Sequence, residues 1–422
     1  MRRTFIILLL LLAAPAAAGG AGGDAAAIVT RAIEVACEAG RLDASGLAAR
    51  LSAPEVIAER RLRRGGAEVG WRRVIGLAGG GRLTITRAAP GGVLRRLTVD
   101  YWEPGPTGPR PLLGTISAGD CRVALARRLL YDGPGPAAAV EEMDSRLRPT
   151  GRTQPLNPPV PAGVDPGGVP VAMVDSGVNY LLPEIAGRLA RDAGGTILGY
   201  DYWDLDRRPF DANPARSPFF PQRHGTRTAS VLLREAPKAR LVPYRYPRPD
   251  LTRMAELVEH AAANGVVIMS LTLGSRDAAE WTAFSAAVAA HPEMLFVVSA
   301  GNDGRDLDRH PVYPAALPHR NLITVTSSEA GGGLGAGSNW GAGTVDLLVP
   351  GEGIPATSFA GRPVRASGSS FAAPRVAALA ARLLEARPAW RAPELRRAIF
   401  ARAVVMPGGL ARVGFIDDPS VP

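Results

Sequence analysis

Residues 366–380, ASGSSFAAPRVAALA, decide how this chain is read. A turn of small residues, Ser367-Gly368-Ser369-Ser370, runs straight into an alanine-rich segment. Residues 371–386 read as a helix buried on several sides, with Pro374 in its first turn, where a missing N–H costs nothing. A serine opening such a helix lies against unpaired backbone N–H groups and the positive end of the helix dipole. Those groups would stabilise negative charge developing beside its hydroxyl. The same pattern describes a serine that merely caps a core helix. The reading of Ser370 therefore turns on whether a base and an orienting acid occur elsewhere.

Upstream of this stretch, from residue 169, short apolar runs alternate with amphipathic ones. Strands are expected at 171–174, 241–244, 265–271, 294–299 and 322–326, and helices at 228–234, 250–263 and 278–290. The alternation predicts an α/β fold with a mostly parallel sheet flanked by helices. In such sheets reactive groups lie at the carboxyl ends of strands. Asp175 directly follows the first strand, and His224 opens a helix in His224-Gly-Thr226. The strand at 294–299 runs into Gly301-Asn302-Asp303-Gly304.

A serine hydroxyl is a poor nucleophile until a neutral imidazole takes its proton. The imidazole in turn needs a carboxylate to fix its tautomer and stabilise the imidazolium. Asp175, His224 and Ser370 supply these three groups. Singly, each has a plainer reading, as a turn residue, a helix-start polar group and a cap. Asn302 is either a turn former or an amide donor to an oxyanion, together with the backbone N–H at Ser370.

The segments Val174-Asp-Ser-Gly177, His224-Gly-Thr226, Ser299-Ala-Gly-Asn-Asp-Gly304 and Gly368-Ser-Ser-Phe-Ala-Ala-Pro374 resemble the Asp, His, oxyanion-Asn and Ser motifs of the subtilisin-like (subtilase) serine peptidases. Their order along the chain is that family's order. The resemblance extends over about residues 169–403, with weaker matches at 338–341 and 345–351. It implies Ser370 as nucleophile, His224 as general base and then acid, Asp175 as the orienting carboxylate and Asn302 as the oxyanion donor. Leu271-Thr-Leu-Gly274 resembles the strand that pairs with substrate backbone, and Leu273, Gly274 and Gly301 make the substrate-binding set that the resemblance implies.

The match departs in places. Ser369 stands for the usual threonine, Phe371 for methionine, and Arg227 where a histidine often follows His-Gly-Thr. Residues 246–250 are short where the family commonly has a Gly/Ser-rich substrate-binding strand. The helix after His224 continues to Glu235 without the inserted loop that often binds calcium. Asp201, Asp204, Asp206 and Asp211 read as a solvated acidic loop, with a cation site as the alternative. No cofactor is needed for the chemistry, no metal ligand is assigned, and structural calcium is possible but not supported.

The first third has a different character. Met1-Arg2-Arg3, an apolar run from Phe5 and a small-residue exit at Ala18 have the three parts of a secretory signal peptide, residues 1–18. Export to the periplasm or the outside is the expectation, with no stable membrane anchor, since the apolar run is short for a span. Residues 20–132 read as a small α+β domain. It has a helix over 24–41, a second helix opened by a capping-box pattern at Ser52-Ala-Pro-Glu55, and strands around 69–75, 82–87 and 94–102. A further strand or strand–helix element is expected over 112–131. Cys37 and Cys121 are the only cysteines, and in an exported chain they form a candidate disulfide. Residues 133–168 are Pro- and Gly-rich and read as an extended linker with one short helical stretch near 138–146. Residues 169–422 make the peptidase domain. The small domain is either a self-inhibiting propeptide released by a cut in the linker or a permanent accessory domain.

The formal charge is +10 and Lys238 is the only lysine. The arginines are scattered among acids rather than gathered in a run, which argues against a nucleic-acid partner. The expected activity is an exported serine endopeptidase acting on polypeptides through an Asp-His-Ser triad and an acyl-enzyme. The alternative is a catalytically silent binding module on the same fold. A lipase is disfavoured because no Gly-x-Ser-x-Gly elbow surrounds Ser370.

Overall fold

The computed structural model describes residues 20–421 apart from 41, 65, 249 and 407. The expected signal segment lies outside the described residues. The chain divides into two compact units, the first ending at Pro155 and the second opening at Leu156.

The first unit begins with helices α1 (Gly20–Glu38) and α2 (Ala44–Arg50). Asp43 caps α2 by accepting the Gly46 N–H at 2.7 Å. Eight strands follow: β1 (Glu55–Arg64), β2 (Ala67–Gly76), β3 (Arg82–Ala88), β4 (Arg96–Glu103), β5 (Arg110–Ala118), β6 (Val123–Leu130), β7 (Ala139–Met143) and β8 (Pro149–Pro155). Each pairs antiparallel with the next in one meander. Helix α1 lays Val29, Ala32, Val35 and Ala36 against Leu83, Ile85, Leu97 and Val99 of the sheet. Cys37, near the end of α1, is disulfide-bonded to Cys121 in the β5–β6 turn, with Cα atoms 6.2 Å apart.

Two local expectations fail here, for one physical reason. The helix expected from residue 55 is strand β1, whose length is paired with β2. The ladder outweighs a four-residue capping pattern. The span 112–131, expected as a strand or a strand–helix element, takes the strand form as the pair β5 and β6. The stretch near 138–146 is strand β7, paired with β6, with Arg128 holding Glu141 across the pair at 2.6 Å. Strands β7 and β8 therefore lie within the segment expected to be a linker. The proline-rich remainder has no regular structure but is tied to the second unit. The Tyr180 hydroxyl donates to the Pro158 carbonyl at 2.6 Å, and Arg191 Nη2 to the Pro161 carbonyl at 2.8 Å.

The second unit is built on β9 (Val169–Asp175), β10 (Tyr200–Asp201), β11 (Ala239–Arg245), β12 (Ile268–Leu271), β13 (Leu295–Ser299), β14 (Leu322–Ser328), β15 (Leu347–Pro350) and β18 (Gly414–Phe415). A separate hairpin holds β16 (Ile354–Thr357) and β17 (Pro363–Ala366). The sheet order is β10-β11-β9-β12-β13-β14-β15-β18, parallel throughout. Its helices are α3 (Pro183–Ala186), α4 (Gly225–Glu235), α5 (Met254–Ala263), α6 (Thr282–Ala290), α7 (Ser369–Ala386) and α8 (Ala392–Phe400).

Alternate strand residues feed two cores. Val171, Met173, Leu295 and Val297 meet α4, α7 and α8 on one face. Ala172, Val174, Phe296 and Val298 meet α5 and α6 on the other. Burial on both faces is why these strands read as continuous apolar runs. The chain leaves β9 to build β11 on one side and returns to build β12 on the other. That reversal creates a crevice outside the carboxyl end of β9, where Asp175 sits.

Candidate active site

Asp175 ends β9 and is 4% exposed. Its Oδ1 accepts the Ser176 N–H at 2.7 Å, and its Oδ2 accepts the hydroxyls of Thr228, at 2.8 Å, and Thr272. His224 Nδ1 lies 2.8 Å from both carboxylate oxygens. An ionised carboxylate only accepts, so Nδ1 carries the proton and Nε2 is left with its lone pair. His224 is the N-cap residue of α4, but its side chain makes no capping bond and is spent on Asp175 instead.

Burial alone pushes the Asp175 carboxyl up. The His224 charge and the donated hydrogen bonds from His224, Thr272 and Ser176 reverse this and hold it below the ordinary value. For His224, burial pushes the imidazole down, but Asp175 outweighs burial and raises it, with help from Asp211. The pair therefore holds an ionised acid beside an imidazole of increased basicity.

Asp211 is a second, fully buried carboxylate. It accepts the Ser176 hydroxyl at 2.6 Å, the Thr226 hydroxyl at 2.6 Å and N–H at 3.0 Å, and the His224 N–H at 3.2 Å. It clamps the start of α4 to the end of β9. Burial pushes its carboxyl up despite these bonds. The sequence reading placed Asp211 in an acidic loop and missed this role; its partners lie within the Asp-Ser-Gly and His-Gly-Thr motifs, the one available signal.

Ser370 is the second residue of α7, whose N-cap is Gly368. The helix thus starts two residues before the expected position. Pro374 lies inside it rather than in its first turn, removing the N–H that would bond the Ser370 carbonyl. Helices α4 and α7 pack against one another, and the Phe371 ring, next to Ser370 in the chain, lies 5.7 Å from the imidazole. No hydrogen bond joins Ser370 Oγ to His224 among the described residues. Catalytic contacts of this kind commonly tighten only with substrate bound.

Asn302 Oδ1 accepts the Ser369 N–H at 2.9 Å. The accepting atom must be oxygen, which leaves Nδ2 as the donor end of the amide, with no hydrogen bond among the described residues. Ser369 Oγ donates to the same Asn302 oxygen at 3.2 Å and accepts the Gly301 N–H at 3.0 Å. Gly368 has φ +120°, and a Cβ there would stand 2.9 Å from Asn302 Oδ1. Gly301, at φ +94°, has its carbonyl engaged by Asn339 N–H as well, so it shapes the turn. Leu273 and Gly274 extend past β12 and carry no backbone hydrogen bond among the described residues.

The pattern that describes the subtilase family matches residues 167–415, more than half of the chain. The chain belongs to the subtilase family. It is 29% identical over 230 residues to a thermophilic serine proteinase of Bacillus sp. (strain AK1), covering 51% of this chain and 52% of that protein. It is 27% identical over 227 residues to thermitase of Thermoactinomyces vulgaris, covering 50% of this chain and 74% of that protein. The chain thus spans about half the length of the Bacillus relative. A cold adapted subtilisin-like serine proteinase superposes with a TM-score of 0.50 at 25% identity, covering 62% of this chain and 93% of that one. A lanthipeptide protease, at 20% identity and a TM-score of 0.51, covers 60% of this chain and 87% of that one and shares the fold.

In this subtilase the expected solvated acidic loop is divided: Asp201 and Asp211 are buried, while Asp204 is exposed. Asp201 and Asp204 are paired with Arg245, and Asp206 with Arg208 at 2.8 Å. Asp201 is buried, and burial pushes its carboxyl up to about 6 in spite of Arg245.

Proposed function

We propose that this subtilase is an exported serine endopeptidase in which Asp175, His224 and Ser370 act as one unit. His224 Nε2 takes the Ser370 proton as Oγ bonds to the scissile carbonyl carbon. The C–N bond then breaks as the imidazolium gives that proton to the leaving amine. Water, deprotonated by the same imidazole, then adds to the acyl carbon, and the C–Oγ bond breaks as the imidazolium returns that proton to Oγ. Asn302 Nδ2 and the Ser370 backbone N–H hold the oxyanion at the positive end of α7. The backbone of residues 272–274 adds the substrate chain as a further strand, which gives affinity with little sequence preference. Acyl and proton transfer need no cofactor.

The observation that carries this reading is the buried Asp175 carboxylate, 2.8 Å from His224 Nδ1, with the α7 residue Phe371, next to Ser370, 5.7 Å from the imidazole. Export rests on the signal-like residues 1–18 alone. The test is covalent labelling of the purified chain with a fluorophosphonate, beside hydrolysis of an unfolded protein substrate. Labelling at Ser370, with both signals lost in Ser370→Ala, is expected. Hydrolysis that survives Ser370→Ala overturns the assignment. A chain that binds polypeptide but is neither labelled nor hydrolytic is the silent binding module instead.

A further inference from the structure

We propose that this subtilase selects substrates carrying a carboxylate side chain beside the scissile bond, and that Arg227 is the residue that selects it. The inference rests on the reading of His224 and Ser370 as catalytic groups.

A cavity of about 450 Å³ opens beside His224, walled by Asn213, Gln222, Arg223, Arg227, Tyr246 and Leu273. Asp175 is the one acid lining it, and both its oxygens are already engaged. The cavity is therefore polar and cationic. Arg227 stands in the first turn of α4, three residues after His224, where the helix dipole adds to its charge. Its side chain is exposed and makes no ion pair or hydrogen bond among the described residues. Its charge reaches the imidazole and opposes protonation of His224.

Arg223 is held at the cavity edge, its guanidinium 4.1 Å from the Phe359 ring centroid and donating to the Asp211 carbonyl. Arg216 and Arg248 lie close enough to Tyr246 for their charges to act on its hydroxyl. Tyr246 itself is fixed by Asn213 Nδ2, which donates to its hydroxyl at 2.7 Å. Two guanidinium groups, those of Arg223 and Arg227, thus line one partly enclosed space.

A peptide paired along Leu273 and Gly274 turns alternate side chains to one face. Because the cavity borders the general base, the side chain that enters it lies within a residue or two of the cut bond. A carboxylate there meets the planar fork of Arg227 and forms charge-assisted hydrogen bonds. A lysine or arginine there meets like charge.

The test uses the full chain and internally quenched peptides of one parent sequence. Each position flanking the scissile bond is set in turn to Glu, Gln or Lys, and kcat/KM is read for the natural protein, Arg227→Gln and Arg227→Glu. At one position within two residues of the bond, Glu should exceed Gln by roughly tenfold, the scale of a hydrogen bond to a charged group, and Lys by more. That ratio should fall towards one in Arg227→Gln and turn in favour of Lys in Arg227→Glu. Fluorophosphonate labelling of every protein is measured alongside. Labelled, active protein with equal rates for Glu, Gln and Lys at all positions overturns the inference and leaves the peptidase standing. A preference for Glu that persists unchanged in both variants removes Arg227 as its source. Protein that is neither labelled nor active overturns the peptidase reading, and this inference with it.

Discussion

At His224 three charges compete for one proton. Asp175 and Asp211 favour the imidazolium, while burial and Arg227 oppose it, and the net effect is a raised pKa. A general base must be neutral to act, so kcat/KM should rise with pH through an acid limb centred above the ordinary histidine value. The stability that the charged pair contributes has the opposite sense. It is fully present below the unfolded histidine pKa and fades as pH rises through the folded one. Arg227→Gln removes a cation that favours the neutral ring, so its acid limb should move to higher pH. The pH dependence of kcat/KM on a neutral peptide measures this; a limb that stays put or moves down shows that Arg227 does not act on His224.

At the scale of elements, the site depends on holding the start of α4 against the end of β9, and Asp211 is the clamp. Asp211→Asn replaces an accepting oxygen with a donor facing Thr226 or Ser176. One buried donor then loses its partner, at about 1–3 kcal/mol. The variant should lose kcat by more than tenfold with KM little changed. Its acid limb should move to lower pH, opposite to Arg227→Gln, because a charge that raises His224 is gone. A change confined to thermal stability would reduce Asp211 to a structural part. This clamp was not legible in the sequence, because it joins residues 35 apart in Ser176–Asp211 and 15 apart in Asp211–Thr226. Asp175 and His224, which the structure pairs, were legible because each sits in a local pattern, a strand end or a helix start, that the chain writes within a few residues. The parallel strands were legible for the same reason: burial on both faces leaves an uninterrupted apolar run. Strands β1 and β7 were not, since Arg-rich or acidic stretches become strands only through partners that cover one side.

At the scale of the whole molecule, the two units differ in what closes them. The second unit, residues 156–421, has its sheet covered on both faces by helices and contains no cysteine. The first covers its meander with α1 and ties that helix to the β5–β6 turn by Cys37–Cys121, at a sequence separation of 84 residues. Closing a loop of that length removes chain entropy from the unfolded state worth about 4–5 kcal/mol in the loop-entropy treatment. Reduction should therefore destabilise the first unit alone. Hydrogen exchange resolved by segment is the suitable readout, because it reports each unit separately. With a phosphine reductant, the best-protected amides of β2 to β5 should exchange on the order of a thousandfold faster, since each 1.4 kcal/mol is tenfold. Amides of β9, β12 and β13 should keep their rates. Equal acceleration in both units would mean that the bond stabilises the chain as one cooperative body. No acceleration would mean that α1 is held to the sheet by Val29, Val35 and Ala36 without needing the bond.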